Sequence, residues 1–148
     1  MRLLTLLLLF AAYSSLMSNT WLVGPTRQYK LPSDLSTLVQ DGDTVYIDPA
    51  EYVGDVTSWR AHNLKIFSAP SPTGTRPVLK ADGKSAEQKA IWVIKGNDCV
   101  VSGIDFYDCV VPDRNGAGIR VEGTNIRVSH CAFRKNQDGI LAGANPNS

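Results

Sequence analysis

The chain contains an internal repeat that constrains its fold more than any other feature. Residues 91–106 and residues 118–133 align without gaps at a spacing of 27 residues. The identical pairs are Gly96/Gly123, Val101/Val128, Ser102/Ser129 and Phe106/Phe133. In both copies apolar and polar residues alternate with a period of two, which is typical of strands and not of helices. A repeat of this length built from short strands predicts similar units stacked along one axis.

Each copy of the repeat contains three short strands. They fall near 91–94, 99–101 and 104–106 in the first copy, and near 118–121, 126–128 and 131–133 in the second. If each strand pairs with its equivalent in the next copy, the chain forms an all-β parallel β-helix with three strands per coil. Short strands with turn residues between them extend this pattern to about four to five coils.

A parallel β-helix also predicts which side chains stack in the interior. The predicted columns are Trp92, Ile119 and Ile140; Leu64, Cys99 and Ile126; and Ile66, Val101 and Val128. Trp59 and Tyr107 are expected at the surface. The competing fold is a β-sandwich, which joins antiparallel strands through hairpin turns. Because a sandwich does not explain the strand-for-strand repeat, we favour the β-helix.

The N-terminus has the layout of a secretory signal peptide. A positive start is followed by an apolar run at residues 3–12 and then by a small, polar segment. The run is too short to span a bilayer, which requires ~20 apolar residues. We assign residues 1–18 to the signal, with cleavage at Ser18 or Thr20, and residues 19–148 to one β-helix domain. The protein is therefore expected to be secreted, periplasmic or at the cell surface, with no integral membrane segment after signal removal.

The balanced charge argues against nucleic-acid binding, and the positions of the cysteines indicate their role in the fold. The chain has 15 basic and 14 acidic residues, and its formal net charge is +1. A protein without a strong positive field is not expected to bind nucleic acid. Cys99 and Cys131 occupy inward positions, where we expect them to pack in the core. A disulfide from Cys109 to either of them is the alternative.

Further segments carry a family resemblance. Apolar residues recur at helical spacing between residues 31 and 39, which predicts a helix at about 31–40. The Asp-Gly-Asp-Thr-Val-Tyr-Ile run that follows it, and the Asn- and Gly-rich segments 115–123 and 131–140, resemble right-handed parallel β-helix proteins of the pectate-lyase-like superfamily. The resemblance covers residues 31–143. It implies a right-handed β-helix whose first coil is capped by the short helix.

The resemblance also implies a function. This scaffold carries polysaccharide lyases, hydrolases, uronate epimerases and non-catalytic adhesins. We expect binding or processing of an acidic carbohydrate polymer, with abstraction of the C5 proton of a uronate by a lyase or epimerase if the full-length protein is catalytic. The alternative is a non-catalytic surface, adhesion or carbohydrate-binding module. Lyases of this kind use Arg or Lys as the base and hold Ca²⁺ through Asp or Glu, so the resemblance implies Ca²⁺ as the cofactor.

Outward positions of the last two coils supply the candidate site residues, and none of them is assigned as catalytic. The substrate-binding candidates are Arg114, Arg120, Arg127, Arg134 and Lys135, and the metal candidate is Asp113. A basic stripe suits an anionic polysaccharide, because a guanidinium pairs with a carboxylate through two parallel hydrogen bonds. The alternative is a solvated face with ordinary ion pairs. His130 is interpreted as a surface residue, and Asn125 and Asn136 as turn residues that hydrogen-bond along the stack.

The C-terminal end of the pattern predicts an incomplete stack. The last predicted strand ends at Leu141, without an evident capping segment after it. An uncapped stack exposes strand edges and core. We therefore expect the chain to be the N-terminal part of a longer protein, and to be inactive as an enzyme alone. The alternative is a complete small β-helix that self-associates through its open C-terminal end.

Overall fold

A computed structural model describes residues 17–143, which form an all-β structure. The strands are β1 (Thr20–Val23), β2 (Thr44–Ile47), β3 (Glu51–Val53), β4 (Thr57–Trp59), β5 (Lys65–Ser68), β6 (Val78–Lys80), β7 (Ala90–Ile94), β8 (Val100–Ser102), β9 (Asp105–Tyr107), β10 (Ala117–Val121), β11 (Arg127–Ser129), β12 (Ala132–Arg134) and β13 (Asp138–Ala142). A 3₁₀-helix at Pro32–Leu35 lies between β1 and β2. The predicted signal peptide falls mainly on residues 1–16, which lie outside the described residues, as do residues 144–148.

The strands form three parallel sheets. Sheet 1 has the order β1-β2-β5-β8-β11, sheet 2 the order β3-β6-β9-β12, and sheet 3 the order β4-β7-β10-β13. From β2 onward the chain visits sheets 1, 2 and 3 in turn, and each such passage is one coil. This arrangement is consistent with the predicted parallel β-helix of three strands per coil. The four or five strands in each sheet agree with the predicted number of coils.

The register of the sheets confirms the alignment of two predicted columns, although Ile140, predicted to lie in the interior, is 45% exposed. Ile119 in β10 pairs with Trp92 on one side and with Ile140 on the other. In sheet 1, Val101 pairs with Ile66 and Val128. Apolar side chains of equivalent strands therefore stack directly on one another, which removes those with a neighbour on each side from water.

An aromatic ladder fills the centre of the stack. Trp92 packs edge-on against Trp59, with ring centroids 5.4 Å apart, and against Phe106 at 5.2 Å. Phe106 then stacks on Phe133 at 5.3 Å. The expectation that Trp59 lies at the surface is wrong, because it is fully buried at the end of β4. Tyr107 is half-buried.

The three cysteines are free thiols, and Cys99 and Cys109 are buried. Cys131 is half-buried and packs against the same core as Cys99. Burial raises the pKa of the Cys109 thiol to about 11, which keeps it protonated at neutral pH. The predicted role in core packing is confirmed for Cys99 and Cys131.

The predicted helix at 31–40 is replaced by the four-residue 3₁₀-helix. The Asp34 carboxylate accepts the N–H groups of Lys30 and Leu31 and fixes its first turn. After Leu35 the chain continues as turns, with the Leu38 and Val39 N–H groups donating to the Leu35 carbonyl, and the Asp43 carboxylate accepts the Gln40 N–H group just before β2. Within residues 17–143, no helix has the length and hydropathy needed to cross a membrane.

A left-handed residue precedes each of β2, β5, β8 and β11 in the turn that leads into sheet 1. The residues there have positive φ angles, at Gly42 (86°), Asn63 (50°), Asp98 (58°) and Asn125 (54°). Asn and Asp adopt this left-handed conformation more readily than other residues with a side chain. The Asn125 amide also donates to the Asp98 carboxylate at 2.7 Å. The prediction of Asn125 as a turn residue that bonds along the stack is confirmed.

Candidate functional site

A polar cleft of about 270 Å³ lies against the outer face of sheet 3. It is lined by Glu87, Gln88, Lys89, Asp113, Asn115 and Arg120. The first three residues belong to the loop 81–89 between β6 and β7, and the next two to the loop 108–116 between β9 and β10. Arg120 projects from β10. We call this feature the sheet-3 cleft.

The wall formed by loop 81–89 is held on the sheet by a small apolar cluster. Ala86 packs with Ala90, Val93 and Ala117. The Ala86 N–H group also donates to the Ala90 carbonyl at 2.7 Å. Beyond Ala86 the chain turns through two consecutive left-handed residues, Glu87 (φ 53°) and Gln88 (φ 55°). This conformation places the three polar residues of the loop along the edge of the cleft.

The opposite wall is held by Gln137. Its side-chain oxygen accepts the N–H groups of Val111 at 2.9 Å and Gly116 at 2.7 Å, and its amide nitrogen donates to the Val111 carbonyl. A side chain at Gly116 would clash with the Cys109 carbonyl, since a Cβ atom there would lie 2.8 Å from that oxygen. These contacts hold the backbone of loop 108–116 against the Gln137 side chain. Gln137 was not predicted from the sequence, because nothing in the repeat indicates that its side chain bonds to the backbone of loop 108–116.

Two lysines and two glutamates form a charged network beside the cleft. Lys95 donates to Glu87 at 2.9 Å and to Glu122 at 3.0 Å, and Lys89 is bonded to the same two carboxylates. Burial alone would raise the pKa of Glu87, but hydrogen bonds from Lys95 and Ser58 outweigh it and lower that pKa to about 2. The hydrogen bond from Lys89 likewise lowers the pKa of Glu122. These four side chains neutralise one another.

Arg120 stands apart from this network. Its Nε atom is buried and has no hydrogen-bond partner among residues 17–143. The described ion pairs on this face use Lys89, Lys95 and Arg60, and leave Arg120 out. A buried N–H donor without a partner is uncommon and costs free energy. Of the two cations that line the cleft, Arg120 is therefore the one without an ion-pair partner among residues 17–143.

The structure brings together only some of the predicted site residues. Asp113 and Arg120 line the cleft, and the exposed Arg114 lies in the same loop as Asp113. Arg127 belongs to sheet 1 and Arg134 to sheet 2, so the five basic residues do not share one face. Lys135 lies over the Tyr107 ring, 5.2 Å from its centroid.

The surroundings of Asp113 do not fit the implied calcium ion. Ca²⁺ takes six to eight oxygen ligands, several of them carboxylate oxygens. The second carboxylate of the cleft, Glu87, is already bonded to Lys95, Lys89 and Ser58. Within residues 17–143, no group of three or more His, Cys, Asp or Glu side chains is arranged to hold a metal ion.

The remaining polar candidates have structural roles. His130 is exposed and left-handed (φ 52°), at the position equivalent to Gly103 (φ 79°), so its interpretation as a surface residue is confirmed. The Asn136 oxygen accepts the Cys109 N–H group at 2.9 Å, and its amide nitrogen donates to the Phe106 carbonyl at 3.0 Å. The predicted stacking role of Asn136 is therefore also confirmed.

No protein-family model, curated protein or solved structure matches the chain significantly. The functional interpretation accordingly depends on the geometry and charge of the cleft.

Proposed function

We propose that the protein is an exported, right-handed parallel β-helix of the pectate-lyase-like type that binds an acidic carbohydrate polymer in the sheet-3 cleft. The observation that carries this proposal is Arg120, which lines a polar cleft and takes no part in the described ion pairs, while its buried Nε atom lacks a hydrogen-bond partner among residues 17–143. A uronate carboxylate accepts two parallel hydrogen bonds from a guanidinium, a stronger and more specific arrangement than a contact with lysine.

The other residues of the cleft suit the rest of a sugar unit. Asn115 and Gln88 offer amide donors and acceptors to hydroxyl groups, and Asp113 offers an acceptor. At about 270 Å³, the cleft lies just below the ~300–1,000 Å³ of typical small-molecule pockets. Such a volume favours capture of a single unit of the polymer, with the rest of the chain running across the outer surface.

Binding is better supported than catalysis. The second cation of the cleft, Lys89, is already bonded to Glu87 and Glu122, so it is not placed to accept a proton from C5 of a uronate. Lyase or epimerase chemistry, if the full-length protein performs it, would need a base other than this lysine. We therefore propose a carbohydrate-binding role for the described coils.

The test compares variants on different sheets. Affinity for uronate oligosaccharides is measured by calorimetry, with neutral oligosaccharides of the same length as the ligand control. We expect Arg120→Ala to weaken uronate binding at least tenfold, which corresponds to ~1.4 kcal/mol. Arg127→Ala is the matched control, because it removes an exposed arginine from sheet 1 and should leave the affinity unchanged.

Two results would contradict the proposal. Equal affinity for uronate and neutral oligosaccharides would show that the Arg120 guanidinium does not recognise the uronate carboxylate. An equal loss of affinity in Arg120→Ala and Arg127→Ala would show that the oligosaccharide does not bind specifically in the cleft. Release of unsaturated uronates, followed by ultraviolet absorbance with and without Ca²⁺, distinguishes a lyase from a binding protein.

A further inference from the structure

A buried carboxylate lies at the N-terminal end of the stack, remote from the cleft in sequence. Asp43 immediately precedes β2 and is 1% exposed. One of its oxygens accepts the Asn19 backbone N–H group at 2.6 Å. The other accepts the Trp21 indole N–H at 2.7 Å and the Gln40 backbone N–H at 2.9 Å. Burial alone would raise the pKa of Asp43, but these hydrogen bonds outweigh it and lower the pKa, so the carboxylate is ionised at neutral pH.

This ionised group lacks a counterion among residues 17–143. The described ion pairs use other carboxylates, namely those of Asp48, Glu51, Glu87, Asp105 and Glu122. The three donors to Asp43 are neutral as long as Asn19 is joined to the residue before it. Three hydrogen bonds compensate for the lost hydration of Asp43, and a charged donor in place of one of the neutral ones would stabilise the carboxylate further, because charge-assisted hydrogen bonds are about twice as strong. A positive charge within reach of Asp43 would therefore be favourable.

The Asn19 nitrogen is the atom that can supply this charge. We propose that the Ser18–Asn19 peptide bond is the processing site of the chain, and that the resulting α-ammonium group of Asn19 is the counterion of Asp43. An endoprotease of the signal-peptidase class would catalyse the hydrolysis. The bond between the Ser18 carbonyl carbon and the Asn19 nitrogen breaks, and water supplies the hydroxyl group to carbon and a proton to nitrogen. The new amine then takes a further proton from solvent at neutral pH.

The boundary of the fold agrees with this site. Ser18 is exposed and Met17 is 81% exposed, so these two residues have little contact with the stack. From Asn19 onward the chain belongs to the fold, since the Asn19 carbonyl accepts the Thr44 N–H group at 2.9 Å and Thr20 pairs with Thr44 in sheet 1.

The alternative sites do not provide the same interaction. Cleavage after Thr20 would remove Asn19, the donor 2.6 Å from Asp43, together with the first residue of β1. After cleavage before Ser18, the Asn19 nitrogen would remain a neutral amide and would bring no charge to the Asp43 carboxylate. Cleavage between Ser18 and Asn19 preserves every hydrogen bond of Asp43 and turns one of them into an ion pair.

The first experiment determines the N-terminus of the exported protein. The full chain is expressed in a host that exports it, and the mature protein is examined by intact mass and N-terminal sequencing. We expect the protein to begin at Asn19. Retention of residues 1–18, or a mature N-terminus at any other residue, overturns the proposal.

The second experiment titrates the α-amino group of the mature protein by NMR. An ordinary α-amino group has a pKa of about 7.7–8.0, and we expect a value at least one unit higher, a tenfold tighter hold on the proton. Asp43→Asn should return it to the ordinary range. Asp41→Asn is the control, since the Asp41 carboxylate accepts the His62 N–H group instead. Other titratable residues near Asp43 are Asp41 and His62 on the neighbouring turns, Lys65 of β5, whose N–H group donates to the Asp43 carbonyl, and Tyr29, whose ring packs on Trp21.

An ordinary pKa in the wild-type protein overturns the pairing, whether or not the Asp43→Asn variant folds. Acetylation of the α-amino group gives an independent check. It should lower the melting temperature of the wild-type protein, whereas an unchanged melting temperature would contradict the pairing. This inference shares with the proposed function the premise of export, but none of these readouts depends on carbohydrate binding, so the inference and the binding role can fail separately.

Discussion

The third coil (β8–β10) and the fourth coil (β11–β13) have nearly the same sequence pattern but different surroundings. Val101 and Ile119 in the third coil are both 0% exposed, whereas their partners in the fourth are half-buried at Val128 and 45% exposed at Ile140. The third coil has a neighbour on each side, and the fourth pairs on one side within the described residues. Burial of a coil therefore comes from its neighbours, and identical residues in the two coils contribute unequally to stability.

The largest predicted effect tests this inequality directly. Val101→Asp places an unpaired charge between Ile66 and Val128, and we expect it to cost more than about 4 kcal/mol and to abolish cooperative folding. The same change at Val128 should cost about half as much, because water reaches that position. Urea unfolding followed by circular dichroism measures both. Equal losses would show that the two coils are buried alike in solution.

A smaller effect is expected from the hydrogen bonds that join the two coils. Asn136→Ala leaves the Cys109 N–H and the Phe106 carbonyl without their partner, and we expect a loss of about 1–3 kcal/mol. Asn125→Gly is the comparison variant: it removes the exposed bond to Asp98, which water can replace, and glycine keeps the left-handed turn, so it should change stability by less than about 0.5 kcal/mol. Hydrogen exchange of β12 should quicken in the first variant alone; unchanged protection there would assign the attachment of the fourth coil to apolar packing.

The smallest effect concerns the network of Lys89, Lys95, Glu87 and Glu122 on the outer surface of the stack. The pKa of Glu87 lies at about 2 in the folded protein and at 4.5 in its ordinary state. Because the folded value is the lower one, the stabilisation is complete above the ordinary value and is lost as the pH falls toward 2. Melting temperatures measured across this range should decline less steeply for Glu87→Gln than for the wild type. Gln88→Ala, which removes no titratable group, should follow the wild-type curve, and a Glu87→Gln curve with the wild-type slope would contradict the role of this glutamate.

The interior was largely predictable from the sequence, and the outer surface was not. The columns through Trp92 and Val101, the packing of Cys99 and Cys131, and the bonds of Asn136 follow from the repeat, because equivalent residues of parallel strands must stack. The basic stripe expected from the sequence does not form, because successive strands belong to different sheets and place Arg120, Arg127 and Arg134 on separate faces. The sheet-3 cleft depends on contacts made by Ala86 and Gln137 that no period in the sequence encodes.

The corners have a consequence for how a chain of this kind can change. Along sheet 1, Thr44 pairs with Lys65, Lys65 with Val100, and Val100 with Arg127, so successive coils keep their register although they differ in length. The extra residues form loops such as 81–89 that project from the stack, and the paired strands on either side keep their register. Insertions can therefore accumulate at a corner and alter what the surface recognises, while the interior is inherited unchanged.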